Sequence, residues 1–160
     1  MSSKLVLLQK PKKRTEIKVD FDGLTKEELL RIVRGWKFLF LFYWPIFGQL
    51  KFQRAEVRKS RHGHHLIIWV RNNIPDYLIP FLQLCLRSHR AREVLNLTRV
   101  LTPELNDGHE WNLLYDTKYR IVEDGLELVG KEVPQVRLTQ QVTKIIKSFS
   151  KRRKRKVKKT

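Results

Sequence analysis

Residues 16–36 have the sequence EIKVDFDGLTKEELLRIVRGW, and this stretch determines the expected fold class. Apolar side chains occupy alternate positions over Ile17–Phe21, which predicts a strand with one buried face. Thr25 and Glu28 have the spacing of a capping box. Apolar residues then recur every three or four positions, which predicts an amphipathic helix to about Phe42. A strand followed directly by a helix that can cover it indicates a fold that mixes both elements.

Turn residues divide the rest of the chain into further elements. Strands are expected over Phe52–Lys59, His65–Val70, Val94–Leu101, Trp111–Tyr115, Tyr119–Val122 and Leu126–Val129. The last two flank an Asp-Gly pair, which is a hairpin signal. Helices are expected over Tyr77–Cys85 and after Thr139, which is placed as an N-cap. This order predicts one α+β domain over residues 15–150, with helices covering one face of a mainly antiparallel sheet.

The chain carries a formal net charge of +18, and that charge is concentrated at its two ends. Residues 1–14 hold five Lys and Arg residues, and residues 144–160 hold ten. The middle keeps nineteen cations against all sixteen acidic residues, so it is nearly neutral. A field of this kind attracts polyanions, and we expect DNA or RNA as the partner.

The segments 1–14 and 151–160 are therefore interpreted as a flexible basic arm and a basic tail on either side of the domain. Eight residues of the tail are expected to contact phosphates: Lys151, Arg152, Arg153, Lys154, Arg155, Lys156, Lys158 and Lys159. Each cation that neutralises a phosphate releases a counterion, which gives tight, salt-sensitive binding with little sequence preference. A solubilising or nuclear-localisation tail is the alternative interpretation.

One cysteine, Cys85, excludes an internal disulfide and a zinc site built from paired cysteines, and it favours a reducing compartment. The strongly apolar run Trp36–Phe47 has only twelve residues and includes Lys37 and Pro45, too short and too polar to cross a bilayer. We therefore expect a cytoplasmic protein without a membrane partner, with association to a nucleoid, virion or ribosome left open.

A second candidate site is the segment 59–65, which precedes an apolar strand. Its polar side chains can donate hydrogen bonds to phosphate oxygens, and its glycine can let the backbone approach a phosphate. The residues assigned to this contact are Lys59, Ser60, Arg61, His62, His64 and His65. The alternative is a polar turn with one partly buried histidine.

Asp20 and Asp22 form an Asp-x-Asp pair at the end of the first expected strand. Because alternate residues of a strand share a face, both carboxylates point to the same side and can hold a divalent cation. Aspartates before a helix are also common turn and cap residues, which is the alternative interpretation.

Together, these segments resemble the archaeo-eukaryotic primase superfamily, in particular its core as found in short proteins of archaeal viruses and plasmids. In that family an Asp-x-Asp strand end binds metal, and a Ser-x-His segment before a strand contacts nucleotide phosphates. Asp20 and Asp22 stand in the first of these places and the segment Lys59–His65 in the second, and Asp116 is the candidate for a later acidic ligand. The resemblance implies an RNA-recognition-like sheet, Mg²⁺ or Mn²⁺ as cofactor, and a replication role, either catalytic or degenerate.

Two other functions remain open. A non-enzymatic protein that condenses a genome or associates with a ribosome would use the basic ends in the same way, with the aspartates as caps. A rolling-circle nuclease of the His-hydrophobe-His type would use the histidine cluster with a metal and a tyrosine nucleophile. However, Gly63 stands where that motif needs a bulky apolar residue.

Overall fold

The alternating segment Ile17–Phe21 folds as a strand, and the amphipathic segment after it folds as helices. Further strands and helices follow as far as Val157. The computed structural model describes residues 14–45, 48–102, 104, 111–112, 117–122 and 125–157; over 117–131 and 150–157 it describes the backbone alone. The elements are β1 (Thr15–Asp22), α1 (Lys26–Gly35), α2 (Lys37–Leu41), β2 (Phe52–Lys59), β3 (Gly63–Val70), a 3₁₀ turn (Asp76–Leu78), α3 (Ile79–Cys85), α4 (Arg90–Leu101), β4 (Thr117–Val122), β5 (Gly125–Lys131), β6 (Val133–Pro134) and α5 (Val136–Val157).

Four strands form an antiparallel sheet in the order β1-β3-β2-β6. Strands β1 and β2 therefore run parallel to each other on either side of β3, which is the arrangement of a split βαβ unit. Strands β4 and β5 pair separately as a hairpin, as the Asp-Gly signal predicts. The predicted α+β class with a mainly antiparallel sheet is confirmed.

One face of the sheet builds the main core. Ile17, Val19 and Phe21 of β1 point to this face, where they meet the buried side of α1. Helix α5 contributes a stripe of buried residues at helical spacing: Leu138, Val142, Ile146 and Phe149. Helix α3 adds Ile79, Leu82 and Leu86 to the same cluster. The N-terminus of α1 carries the predicted capping box, with Thr25 and Glu28 bonded reciprocally.

Several predicted bounds and one predicted element are wrong. The segment Val94–Leu101, predicted as a strand, lies in helix α4. The buried side of this helix consists of polar residues, Glu93 and Asn96, so its apolar residues do not show the helical period. The helix expected to reach Phe42 is interrupted at Trp36. Helix α5 begins at Val136, so Thr139 lies inside it, where its hydroxyl accepts a hydrogen bond from the Val57 amide at 2.8 Å. Most of the predicted strand Trp111–Tyr115 lies outside the described residues.

The free edge of β1 is covered by side chains of α3 and α4 instead of another strand. The Lys18 amide donates to Gln83 Oε1 at 2.8 Å, and Arg92 Nη1 donates to the Lys18 carbonyl at 2.9 Å. The Asp20 amide donates to Ser88 Oγ at 3.0 Å. An edge strand with unpaired backbone groups is a template for aggregation, and these bonds remove that hazard.

Glu93 links the side chains that cover this edge. Its carboxylate is fully buried and accepts hydrogen bonds from Gln83 Nε2 and Ser88 Oγ, each at 2.5 Å, and from Asn96 Nδ2 at 3.1 Å. Arg92 also donates to it and supplies the compensating positive charge. A buried charge is tolerated only when it is paired and hydrogen-bonded, and Glu93 meets both conditions.

Candidate nucleic-acid interface

The predicted phosphate-contacting segment 59–65 forms the tight turn between β2 and β3. The Ser60 amide donates to the Gly63 carbonyl at 3.0 Å, and the Gly63 amide donates to Ser60 Oγ at 3.1 Å. The Ser60 side chain is buried, and its hydroxyl is already hydrogen-bonded within the turn. Lys59, Arg61 and His62 are exposed, so these three are the residues of the segment that the turn offers to a phosphate.

Gly63 is required by packing against β1. A Cβ atom at this position would lie 1.8 Å from the carbonyl oxygen of Phe21, far inside van der Waals contact. The space in front of the glycine is therefore filled by the protein's own backbone, which gives a structural reason for a glycine here that involves no phosphate.

The two histidines that follow are buried on opposite faces of the sheet. His64 lies opposite Phe21 on the core face, and burial, with a smaller effect from Lys59, holds the pKa of its imidazole below the ordinary value. His65 lies opposite Asp20 on the other face and is 4% exposed. His64 and His65, both predicted to contact phosphates, are thus buried.

His65 stands between two carboxylates on the second face of the sheet. Its Nε2 is 3.2 Å from Asp20 Oδ1, and its Nδ1 contacts the carboxylate of Glu132, which precedes β6. Arg58 reaches the other oxygen of Glu132 at 3.5 Å. Burial raises the pKa of Asp20, but the hydrogen bond and charge of His65, with Arg92 and His89, outweigh it and lower that pKa overall. The cluster therefore stabilises an ionised Asp20.

The predicted metal ligands Asp20 and Asp22 have different surroundings in this arrangement. Asp22 is exposed at the end of β1, whereas Asp20 is held by His65, and Asp116 lies outside the described residues. Since His65 directs each ring nitrogen to a different carboxylate, it keeps those carboxylates apart. Among the residues the structure describes, no three His, Cys, Asp or Glu side chains form a group able to hold a metal ion.

Helix α5 carries the predicted basic tail as a continuation of a docked helix. Its buried stripe ends at Phe149, and the helical backbone continues through Val157. The six cations Lys151, Arg152, Arg153, Lys154, Arg155 and Lys156 therefore lie on regular helix; we call this run the basic segment. Lys158 and Lys159 lie outside the described residues.

The basic segment matches the charge spacing of nucleic acid. Consecutive residues of an α-helix rise about 1.5 Å, so the segment carries one positive charge per about 1.5 Å. Double-stranded DNA carries one negative charge per about 1.7 Å of its axis. Cations at the C-terminal end of a helix also interact favourably with its dipole. Within the described part of the chain, no helix is long and apolar enough to cross a membrane.

Comparison with protein-family models, with curated proteins and with solved structures found no match for this chain. The inference about function therefore rests on the geometry and charge described above. Sequence reasoning missed Glu132 and Arg58, because their contacts join residues that lie far apart in the chain. It also missed the role of Arg92, whose positive charge is balanced by Glu93 inside the domain.

Proposed function

We propose that the protein binds DNA or RNA through the basic segment of α5. The observation that carries the proposal is that six consecutive cations continue a helix whose preceding turns are docked on the sheet. The docked half fixes the direction of the helix, and the cationic half concentrates positive charge along its continuation. An intracellular location, at a nucleoid, virion or ribosome, belongs to the same proposal.

In this proposal, charge neutralisation supplies the free energy of binding to nucleic acid. Like charges three and four residues apart destabilise an isolated helix, so the basic segment gains when phosphates replace solvent around it. Each phosphate contact releases a condensed counterion, and affinity then falls steeply with salt. The nearly neutral domain adds shape and position.

The exposed tip of the β2–β3 turn is a second contact in this proposal, at the opposite end of the sheet. Helix α5 begins next to Lys59 and ends its docked half near Phe52. Strand β2 spans eight residues, or about 26 Å, between these points. Arg61 and His62 therefore contact phosphates well separated from those at the basic segment, and replacing both should weaken binding further after the tail is removed.

Truncation after Ser150 tests the main claim. The truncated protein loses eight cations, and we expect the slope of log K against log salt to become shallower by about 4 to 6 units. Thermal unfolding serves as the control, because the buried stripe of α5 ends before the cut and the Tm should be retained. An unchanged slope in a folded truncation would contradict the proposal.

A primase-like replication activity is a second candidate. The observation that favours it is that Asp20 and His65, from the two segments that resemble the family's motifs, lie directly opposite each other and 3.2 Å apart. Template-directed nucleotide incorporation in Mg²⁺ or Mn²⁺ is the assay. The exposed Asp22→Asn variant should abolish incorporation while the domain stays folded; incorporation that survives this change, or its absence in the wild type, returns the protein to binding alone.

A further inference from the structure

A cavity opens on the helical side of the domain, and its described lining includes no residue of the β2–β3 turn or of the His65 cluster. It has a volume of about 450 Å³, within the range of about 300 to 1,000 Å³ typical of small-molecule sites. It lies between the end of α1, helix α2 and the end of α3. The residues that matter for its chemistry are Arg31, Ile32, Trp36, Leu39, Cys85 and Arg87. Its lining combines apolar side chains with two arginines.

Trp36, which lines this cavity, carries an unsatisfied hydrogen-bond donor. The residue is 3% exposed, and its indole ring packs against Phe21 with the centroids 6.1 Å apart. The indole Nε1 is buried and has no acceptor among the described residues. A buried donor without a partner is costly, so this N–H favours a ligand that brings an acceptor into the cavity.

Arg87 adds a strained backbone at the rim. The end of α3 is a Schellman motif, in which the Ser88 amide donates to the Gln83 carbonyl and the Arg87 amide donates to the Leu84 carbonyl. Arg87 occupies the left-handed position that glycine normally takes, with φ of 65°. It is the one non-glycine residue with positive φ within the described ranges. Strain of this kind concentrates at ligand-binding sites, which favours a binding role for the Arg87 side chain.

The surroundings of the cavity are aromatic and cationic. Between Glu28 and Glu56 the sequence has no acidic residue, five cations and eight of the sixteen aromatic residues of the chain. Phe38 and Phe42 of this stretch are 66% and 56% exposed and stack face to face with their centroids 5.7 Å apart. Leu39, which lines the cavity, lies next to Phe38. Cations beside exposed aromatic rings are the combination that binds unpaired bases.

The cavity is also close to the basic segment. Phe149, the last buried residue of α5 before that segment, lies with its ring centroid 6.2 Å from that of Phe40 in α2. Leu39 directly precedes Phe40 and lines the cavity. The turn of α5 that precedes the basic segment is therefore close to α2, which lines the cavity.

We propose that this cavity holds an unpaired base of a single-stranded nucleic acid, which extends the function proposed above and rests on it. The indole N–H of Trp36 donates to a carbonyl or ring nitrogen of the base, and Ile32 and Leu39 contact its faces. Arg87 and Arg31 bind the flanking phosphates. The exposed Phe38–Phe42 pair stacks a neighbouring base. Base-paired DNA cannot enter, because its bases are stacked and their edges are occupied.

The single cysteine of the chain gives a direct readout of the cavity in the unmodified protein. Cys85 is exposed at the cavity wall and should therefore react with a chromogenic disulfide reagent. With the oligonucleotide at ten times its Kd, occupancy should slow this reaction about tenfold. Oligo(dT) and oligo(rU), tested in parallel, distinguish DNA from RNA, and protection by either supports the proposal. A duplex of equal length and free dTMP at the same concentration should not protect Cys85.

Two variants separate the cavity from general electrostatics. Trp36→Phe removes the N–H together with some buried volume, so its Tm is measured alongside; the folded variant should weaken oligonucleotide binding about fivefold. Arg87→Gly removes the charge and relieves the left-handed strain, so binding should weaken about tenfold while the Tm stays the same or rises. Arg71→Ala removes one exposed cation elsewhere and serves as the matched control. Equal losses in Arg87→Gly and Arg71→Ala would contradict the proposal.

The outcomes distinguish this inference from the function it extends. If oligonucleotides bind in a salt-dependent manner but leave Cys85 fully reactive, the cavity is not a base site and the basic segment alone binds. If duplex DNA protects Cys85 as well as single strands do, the selection for unpaired bases is refuted. If no nucleic acid binds at low salt, both proposals fail together.

Discussion

Arg92 in α4 and the cations of the basic segment in α5 show two opposite uses of the same charge. Arg92 is enclosed at the edge of β1, where Glu93, the Lys18 carbonyl and Asn112 take its hydrogen bonds. The basic segment continues a helix beyond the last residue of its buried stripe. A cation whose charge is balanced inside the domain contributes to stability, whereas we propose that the consecutive cations at the end of α5 bind a partner.

The formal net charge of +18 therefore says little about binding until each charged residue is located in the structure. Arg92 counts toward the formal charge of the chain, but its positive charge is compensated a few ångströms away. Burial of the Arg92 guanidinium lowers its pKa, although the neighbouring Glu93 and Asp20 act in the opposite direction. The field that attracts a polyanion comes from charges without such compensation.

Removing Glu93 should give the largest effect on stability. Glu93→Ala leaves the buried Arg92 charge and several buried donors without their acceptor, and should lower the free energy of unfolding by about 3 to 5 kcal/mol. Chemical denaturation measures the change. Glu27→Ala, at an exposed position in the first turn of α1, is the control and should change it by less than about 0.5 kcal/mol. A small loss in Glu93→Ala would show that the edge network is not structural.

Thr139 tests how the docked half of α5 is fixed. Thr139→Val removes the acceptor of the Val57 amide and should cost about 1 to 2 kcal/mol of unfolding free energy. Thr98→Val, whose hydroxyl bonds only within the exposed side of α4, is the matched control and should cost less than about 0.5 kcal/mol. The salt slope of nucleic-acid binding should stay the same in both variants; a changed slope in Thr139→Val would mean that docking and phosphate contact are not separable.

Acidification should produce the smallest effect, and its direction follows from two lowered pKa values. His64 in the folded state has a pKa below its ordinary value near 6.5, so the unfolded chain binds the proton first and stability falls as the pH drops below about 6.5. Asp20 adds a second loss below about pH 4, as its favourable contacts with His65 disappear.

Unfolding free energies between pH 7 and pH 3 measure both steps. His64→Gln should flatten the first step, and Asp20→Asn should flatten the second. His62→Gln, at the exposed tip of the β2–β3 turn, is the control for the first. Greater stability at pH 5 than at pH 7 in the wild type would reverse the assigned direction.

Local signals in the sequence were sufficient for most of the sheet. Alternation predicts β1, the capping box predicts the start of α1, and the Asp-Gly pair predicts the β4–β5 hairpin. Helix α4 was missed because its pattern is inverted. It buries Glu93 and exposes Val94 and Leu95, so apolar periodicity points to the wrong element.

The candidate site was predictable only where charge is dense and local. The run of cations in the basic segment is visible in the sequence itself. The burial of His64 and His65 is not visible there, because it depends on which strands flank β3. Glu132 reaches His65 across 67 positions of sequence, and no local pattern encodes such a contact.

The claim that the basic segment binds phosphates is tested most directly by removing its charges in steps. Lys and Arg at positions 151–152, then 151–154, then 151–156 are replaced by Gln, and the salt dependence of oligonucleotide binding is measured for each protein. We expect the slope of log K against log salt to become shallower by about 1.5 units at each step, with the Tm unchanged. A slope that stays constant through all three steps would contradict the account.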